Sequence, residues 1–459
     1  MVVDPAITLE DLREPLAKFW PVSGAKIAGL CEAWDPASGS PVFTVRGRYT
    51  SQGWTEWTQG FQYGWAILQF DATGDERFLE LGRRGTLEHM APHVSHVGVH
   101  DHGFNNVSTY GNLRRLMLEG RIPHDAWELA FYELALKTSG AVQAARWRRT
   151  FEGPGYIYSF NGPQSLFADT IRSVRSLFLA HRLGHALMGE NDERISLLAR
   201  GLEHARTTAR YNVFYGEGRD VYDEWGRTAH ESVFNVNDGR FRTPSTQQGY
   251  SGFSTWTRGL AWIVAGYPEE LEFLDTVADD ELAPLGGREE LTALMLRAAR
   301  ATADFYIANS AADGVPYWDT GAPGLAHLDG WRDRPADPLN PHEPVDSSSA
   351  AIAAQGLLRL GRWLTARGDA DGRRYTAAGI QALRTVLGGP YLATDPAHQG
   401  LLLHGVYHRP RGWDLAPDDD GVPRGEAVMW GDYHLVEAAL LAQRLLDGAP
   451  YYAFFGPTS

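Results

Sequence analysis

Two aspartates stand out by their surroundings. Asp101 lies in VGVHDHGFNN, a glycine-flanked loop ahead of a helix-like run, and Asp169 opens LFADTIRSVRSLFLAHRLG. In the second segment Ile171, Val174 and Phe178 make one apolar face, while Asp169, Ser173, Ser176 and Ala180 follow at helical spacing on another. That other face is small and polar. On an outer helix it would meet solvent; on an inner helix it would border a wet cavity. A carboxylate beside such a cavity is partly desolvated, which raises its pKa and suits it to general acid work. Two of them facing each other are the usual equipment for glycosidic-bond chemistry. Taken singly, each also reads as a helix cap.

Histidines crowd the first loop. HVSHVGVHDH holds His93, His96, His100 and His102, at spacings that match no standard zinc site, so pairing with carboxylates or contact with substrate is the expectation. DDDG at 418–421 lacks the remainder of a calcium loop. Patterns for phosphate loops, dinucleotide folds, serine-hydrolase elbows and zinc proteases are absent, so nucleotide, serine-esterase and zinc-protease chemistry lose support. A further stretch, QGYSGFSTWTRGLAW (248–262), sets Arg258 among Tyr250, Trp256 and Trp262 at a loop-to-helix junction. Helical spacing puts Thr255, Arg258 and Trp262 on one face and turns Trp256, Leu260 and Ile263 to a wall. A guanidinium there could take a carboxylate through two parallel bonds.

The elements that must hold these residues read as helix after helix. Charged, amphipathic segments at 75–90, 125–147, 192–211, 288–308 and 372–387 have the pattern of outer helices. Segments richer in small and aromatic residues, at 57–74, 104–120, 166–184, 253–267, 347–364 and 433–448, look buried on several sides. The two kinds alternate. With an N-terminal helix around 8–20 as the sixth outer one, they describe an all-α, (α/α)6 barrel of six inner and six outer helices. Residues 41–50 and 221–235 are expected as hairpins or long loops at the mouth. No linker divides the sequence, so residues 1–459 are expected to form a single catalytic domain.

Composition narrows the partners. The 459 residues carry a net charge of −15, which argues against nucleic acid and anionic membranes. One cysteine, Cys31, permits no internal disulfide. No run is apolar enough to span a bilayer and the start lacks a signal-peptide pattern, so the expected location is cytoplasmic. The many Trp and Tyr suit sugar stacking, with core packing as the alternative for each.

Several stretches together resemble one family. QGYSGFSTWTRGLAW, WTQGFQYGWAILQFDATGDERF (57–78), VHDHGF (99–104), FADTIRSVRSLFLAH (167–181), GVPYWD (314–319), DSSSAAIAAQGLLRL (346–360) and WGDYHLVEAALL (430–441) occur in the order found in the unsaturated glucuronyl hydrolases, glycoside hydrolase family 88. They are similar also to the related unsaturated rhamnogalacturonyl hydrolases of family 105. The resemblance implies an (α/α)6 barrel without cofactor. It implies an acidic oligosaccharide as substrate, from whose non-reducing end a 4,5-unsaturated uronic acid is removed by hydration of the vinyl ether. It makes Asp169 the general acid/base and Asp101 the second essential carboxylate. It makes His230, Gln248, Arg258 and Trp262 substrate contacts, with Trp57 stacking near the sugar. A glucuronidase for saturated uronides and a non-catalytic uronate-binding protein are the alternatives. Three departures bear on substrate: Gly252-Phe253 stands where relatives carry two acids, Arg172 adds a cation after Asp169, and 211–230 is longer than the family norm.

Overall fold

A computed structural model describes residues 1–53 and 56–456. Twelve long helical segments alternate along the chain between outer (odd-numbered) and inner (even-numbered) positions. They are α1 (Arg13–Ala33), α2 (Gln59–Thr73), α3 (Glu76–His89), α4 (His102–Asn106, continued by Val107–Gly111 and Asn112–Leu118) and α5 (Ala126–Ala145). Next come α6 (Thr170–Ser173 and Arg175–Arg182), α7 (Leu197–Tyr211), α8 (Thr257–Leu274) and α9 (Gly287–Asn309). Last are α10 (Ser347–Thr365), α11 (Gly372–Val386) and α12 (Met429–Asp447). The even-numbered helices form a closed ring, each touching the next and α12 returning to α2. This is the expected all-α barrel.

Burial follows the two sequence patterns. Every residue of α8 is buried, as are Gln59 through Asp71 of α2, because these helices have neighbours on all sides. The outer helices bury one stripe each: in α3, Phe78, Leu79, Gly82, Gly85 and Thr86 are buried while the charged face meets water.

Capping sets several boundaries. Ser196 accepts the Ala199 amide and starts α7, and Asp125 does the same for α5 through Glu128. The expected helix over 192–211 therefore begins late: Arg194–Ile195 instead pairs with Leu187–Met188. The first outer helix runs well past the expected 8–20, through Pro21 to Ala33, after a 3-10 turn over Leu9–Leu12. α8 likewise runs through Pro268, beyond the expected end at 267. Local breaker signals lost here to packing along the barrel wall. α6 is broken at Val174, and its expected first turn is strand.

Short strands occur in both stretches expected as hairpins or long loops, 41–50 and 221–235, and elsewhere. Phe43–Val45 pairs with Arg48–Thr50, and Trp147–Arg149 with Gly155–Ile157. A three-stranded sheet places Glu231–Phe234 between Ser165–Phe167 and Phe241–Ser245. Its register sets Phe167 opposite Glu231, and Ala168 N–H donates to the His230 carbonyl at 2.8 Å. Asp169 and His230 are thereby brought side by side from 61 residues apart in sequence.

Midway down the barrel lies a buried ionic plug. Arg172 pairs with Glu269 and, at 3.0 Å, with Glu437. Arg175 lies 3.5 Å from Glu269 and 3.7 Å from Glu437, and Arg359 pairs with Glu272. Arg172 is thus neither at the presumed site nor turned outward: it ties α6 to α8 and α12.

Candidate active site

A cavity of about 680 Å³ opens where the inner helices begin. Trp57 reaches it from the turn before α2, Asp101 from the residue before α4, Asp169 from the residue before α6, and Gln248, Arg258 and Trp262 from the approach to α8 and its first turns. The fourth wall is the loop before α12, with Tyr407, His408 and Trp413. Six of the seven residues singled out in the sequence line this cavity; the seventh, His230, lies against its wall, its ring 4.4 Å from Trp256.

Both aspartates occupy N-cap positions, yet neither side chain makes a cap bond. Their carboxylates turn instead to His100, whose Nε2 is 3.3 Å from Asp169 and 3.7 Å from Asp101. Burial pushes Asp101 up to about 6, helped by the neighbouring Asp169 charge and opposed by His100. Burial pushes Asp169 the same way, but the charge and hydrogen bond of His100 outweigh it and leave this carboxyl below its ordinary range. Burial would lower His100, and the two carboxylates reverse that. Two desolvated acids with one cation between them titrate as a unit and retain a proton that isolated carboxylates would lose.

Beyond Asp169 itself, the polar face read from its helix is buried in a seam between helices and does not border the cavity. Ser173 Oγ donates to the His100 carbonyl at 2.6 Å and accepts from Gly103 N–H at 3.0 Å. Gln143 of α5 donates to the same carbonyl at 2.6 Å and to Ser173 at 3.0 Å, and accepts from Ser176. Gly103 is required there: a Cβ on it would come within 2.1 Å of the Ser173 carbonyl oxygen. The two acid-bearing segments touch backbone to backbone.

His230 is held neutral, its pKa driven by burial down to about 3. Its Nδ1 accepts the Gln247 amide at 3.1 Å, which puts the ring proton on Nε2. Among the described residues that buried Nε2 has no hydrogen-bond partner, so it is free to donate.

Arg258 is fully buried, and its donors are largely spent on the protein. They go to the Val406 carbonyl, to Asp346 at 3.3 Å, to the Tyr407 carbonyl at 2.8 Å and to Gln248 Oε1 at 2.6 Å. The guanidinium is also sandwiched 4.5 Å from Trp256 and 4.7 Å from Trp430. Arg258 therefore fixes the Gln248 amide with its NH2 as the free end. Trp57 stacks on Trp430 at 5.0 Å, and Trp262 leans on Phe104 at 4.8 Å, so both present aromatic surface to the cavity. Trp256, expected to face the barrel wall, lines the cavity instead, because α8 begins only after it.

The sequence reading missed the 407–413 wall. Its clustered aromatic and basic residues, YHRPRGW, were a signal, but nothing in the sequence ties that loop to Asp169. Of the other crowded histidines, His93 and His96 line the cavity, while His102 bonds Ser139 at 3.0 Å and the His96 carbonyl at 2.9 Å. Phe253 of the replaced acidic pair is 67% exposed and does not line the cavity. Gly252 sits where a Cβ would meet the Pro244 carbonyl oxygen at 2.7 Å.

Fold and cavity together define a class: an (α/α)6 barrel with a buried carboxylate pair at the bottom of an aromatic well. No protein-family model matches the chain. Curated relatives do. An unsaturated glucuronyl hydrolase of Bacillus sp. (strain GL1) is 24% identical over 413 residues, covering 88% of this chain and 90% of the relative. An unsaturated chondroitin disaccharide hydrolase of Streptococcus pyogenes serotype M1 is 25% identical over 417 residues, covering 89% and 86%. Among solved structures, the Bacillus sp. GL1 unsaturated glucuronyl hydrolase superposes with a TM-score of 0.69 at 22% identity, covering 95% of this chain and 97% of the other. A Streptococcus agalactiae unsaturated glucuronyl hydrolase variant complexed with dGlcA-GalNAc6S gives a TM-score of 0.62 at 20% identity, covering 96% and 97%. Over most of its length the chain is similar to unsaturated glucuronyl hydrolases in sequence and shares their fold.

Proposed function

We propose that this protein is a glycoside hydrolase that removes a 4,5-unsaturated uronic acid from the non-reducing end of lyase-generated oligosaccharides. The observation that carries the reading is the buried Asp101–His100–Asp169 constellation at the floor of an aromatic cavity. Its similarity to hydrolases named for unsaturated glucuronyl and chondroitin disaccharide substrates supports the choice of substrate.

The chemistry needs one proton given and one taken. Asp169 is assigned the proton exchange with the substrate: the proton that Asp101 and His100 retain passes through Asp169 to C4, a water oxygen bonds C5, and one of that water's protons returns to the carboxylate pair. The C5 hemiketal then opens to a ketone. The hemiacetal left at C1 breaks its bond to the leaving sugar, which departs as an alcohol together with a keto sugar acid. One water is consumed. A positioned carboxyl contributes roughly 10²–10⁴-fold to such a step. The free NH2 of Gln248 and the Nε2–H of His230 are assigned as donors to substrate oxygens, with Trp57 and Trp262 against the ring faces. Arg258 acts through Gln248.

The test is direct. Purified protein mixed with lyase-made disaccharides from glycosaminoglycan, gellan, ulvan, alginate or pectin should bleach the unsaturated-uronate ultraviolet band for at least one of them. No bleaching with any, together with turnover of a saturated chromogenic glucuronide, would replace hydration by ordinary glucuronide hydrolysis.

A further inference from the structure

We infer that His100 is a positioning residue that sets how the proton is shared between Asp101 and Asp169, and that Ser173 and Gln143 hold it in place to do so. The inference rests on the hydration reading above and goes beyond it, since the acids alone would meet the stoichiometry.

The ring is placed from three sides. Phe160 lies parallel to it at 6.1 Å and 21°, and Phe167 meets it edge-on at 5.5 Å, so the imidazole plane is set by packing. Its backbone carbonyl takes two bonds, from Ser173 Oγ and Gln143 Nε2, both at 2.6 Å. Ser173 belongs to the same short helix that Asp169 begins, so one hydroxyl couples the position of the imidazole to that of the carboxylate it bonds. The result is a single nitrogen, Nε2, in reach of two acids from different helices.

The charged groups around the ring have opposing effects. Asp101 and Asp169 favour its cationic form, whereas Arg146, from the end of α5, opposes it. His230 and His204 add nothing to that cation while they stay neutral, and burial keeps both so. With the imidazolium in place, Asp169 is held ionised while Asp101 keeps its proton to about pH 6. Without it, both carboxyls lose the charge that draws them down, and the pair holds its protons to higher pH. An amide at position 100 could still donate to Asp169, but it cannot carry that charge.

The experiment is steady-state kinetics across pH on lyase-made disaccharide with wild type, His100→Gln and Ser173→Ala. For His100→Gln, kcat should fall roughly 10–100-fold with KM within about threefold, and the acid limb of the kcat profile should move up by about one pH unit. For Ser173→Ala, which keeps every titrating group, kcat should fall by about 3–10-fold with the acid limb unmoved. A folded His100→Gln whose acid limb coincides with wild type overturns the inference, as does a loss confined to KM. Should His100→Gln fail to fold, Ser173→Ala decides: wild-type kcat overturns the inference. Wild type inactive on every unsaturated disaccharide sinks the functional reading itself, and this is told apart from the other results because the first arm then shows no turnover at all.

Discussion

Two buried clusters of charge share one inner helix, α6, and they are built on opposite rules. The plug in mid-barrel sets three guanidiniums, Arg172, Arg175 and Arg359, against three paired carboxylates, Glu269, Glu272 and Glu437. Burial pushes Glu437 up, but Arg172 and Arg175 outweigh it and hold the carboxyl down at about 2. The cluster at the cavity floor has two carboxylates and one imidazole, an acid held up at about 6, and a buried histidine nitrogen with no partner among the described residues. Compensated charge fastens helices together; uncompensated charge at the edge of a cavity can exchange protons with a ligand. The same helix, α6, takes part in both, with Asp169 at its start and Arg172 three residues on.

That contrast can be broken by experiment. Asp169→Asn should cost the largest effect on turnover, roughly 10²–10⁴-fold in kcat, while the melting temperature stays within a few degrees of wild type. Substantial activity in a folded Asp169→Asn would dissolve the distinction. Arg172→Met should do the reverse. It leaves Glu269 and Glu437 with only the more distant Arg175 and should lower stability by about 3–5 kcal/mol in urea titrations. The fraction that remains folded should keep near-normal kcat; a folded but inactive Arg172→Met would mean the plug reaches into the chemistry.

A subtler consequence concerns pH. Asp101 binds its proton more tightly folded than unfolded, so the stability it confers is complete below about pH 4 and drains away as pH rises through about 6. Asp101→Asn should therefore be more stable than wild type at pH 7 by about 3 kcal/mol, and the difference should shrink to about half a kcal/mol near pH 4. Calorimetry at the two pH values checks this, and an unchanged difference would place the strain elsewhere. The smallest effect is expected at the rim. Phe253→Ala should leave stability within about 0.5 kcal/mol, and disaccharide kcat/KM within about twofold, because the ring is exposed and outside the cavity lining. A large loss would extend the substrate site beyond the cavity.

Much of this was legible from residue types. The alternation of charged and small-aromatic helices gave the barrel, since an inner helix has no solvent face on which to place lysines and glutamates. The sequence also pointed to Asp101, Asp169 and the residues from Gln248 to Trp262 because they sit at helix starts amid turn residues. It misjudged what distant partners decide. Ser173 and Ser176 read as facing either solvent or a wet cavity, yet Gln143 and the His100 carbonyl claim them. Arg258 read as an open receptor for an anion, yet two carbonyls from the loop before α12 and Asp346 occupy it.

By itself, then, the sequence determined which segments are helices, which of them are buried, and where acids stand at their ends, because periodicity and capping are local properties of the chain. Only the tertiary structure decided that Asp101 and Asp169 share one imidazole, that Arg172 plugs the barrel while Asp169 faces the cavity, and that the 407–413 loop closes the fourth wall. Those outcomes depend on which charges meet across helices far apart in sequence, and on how much water is left between them.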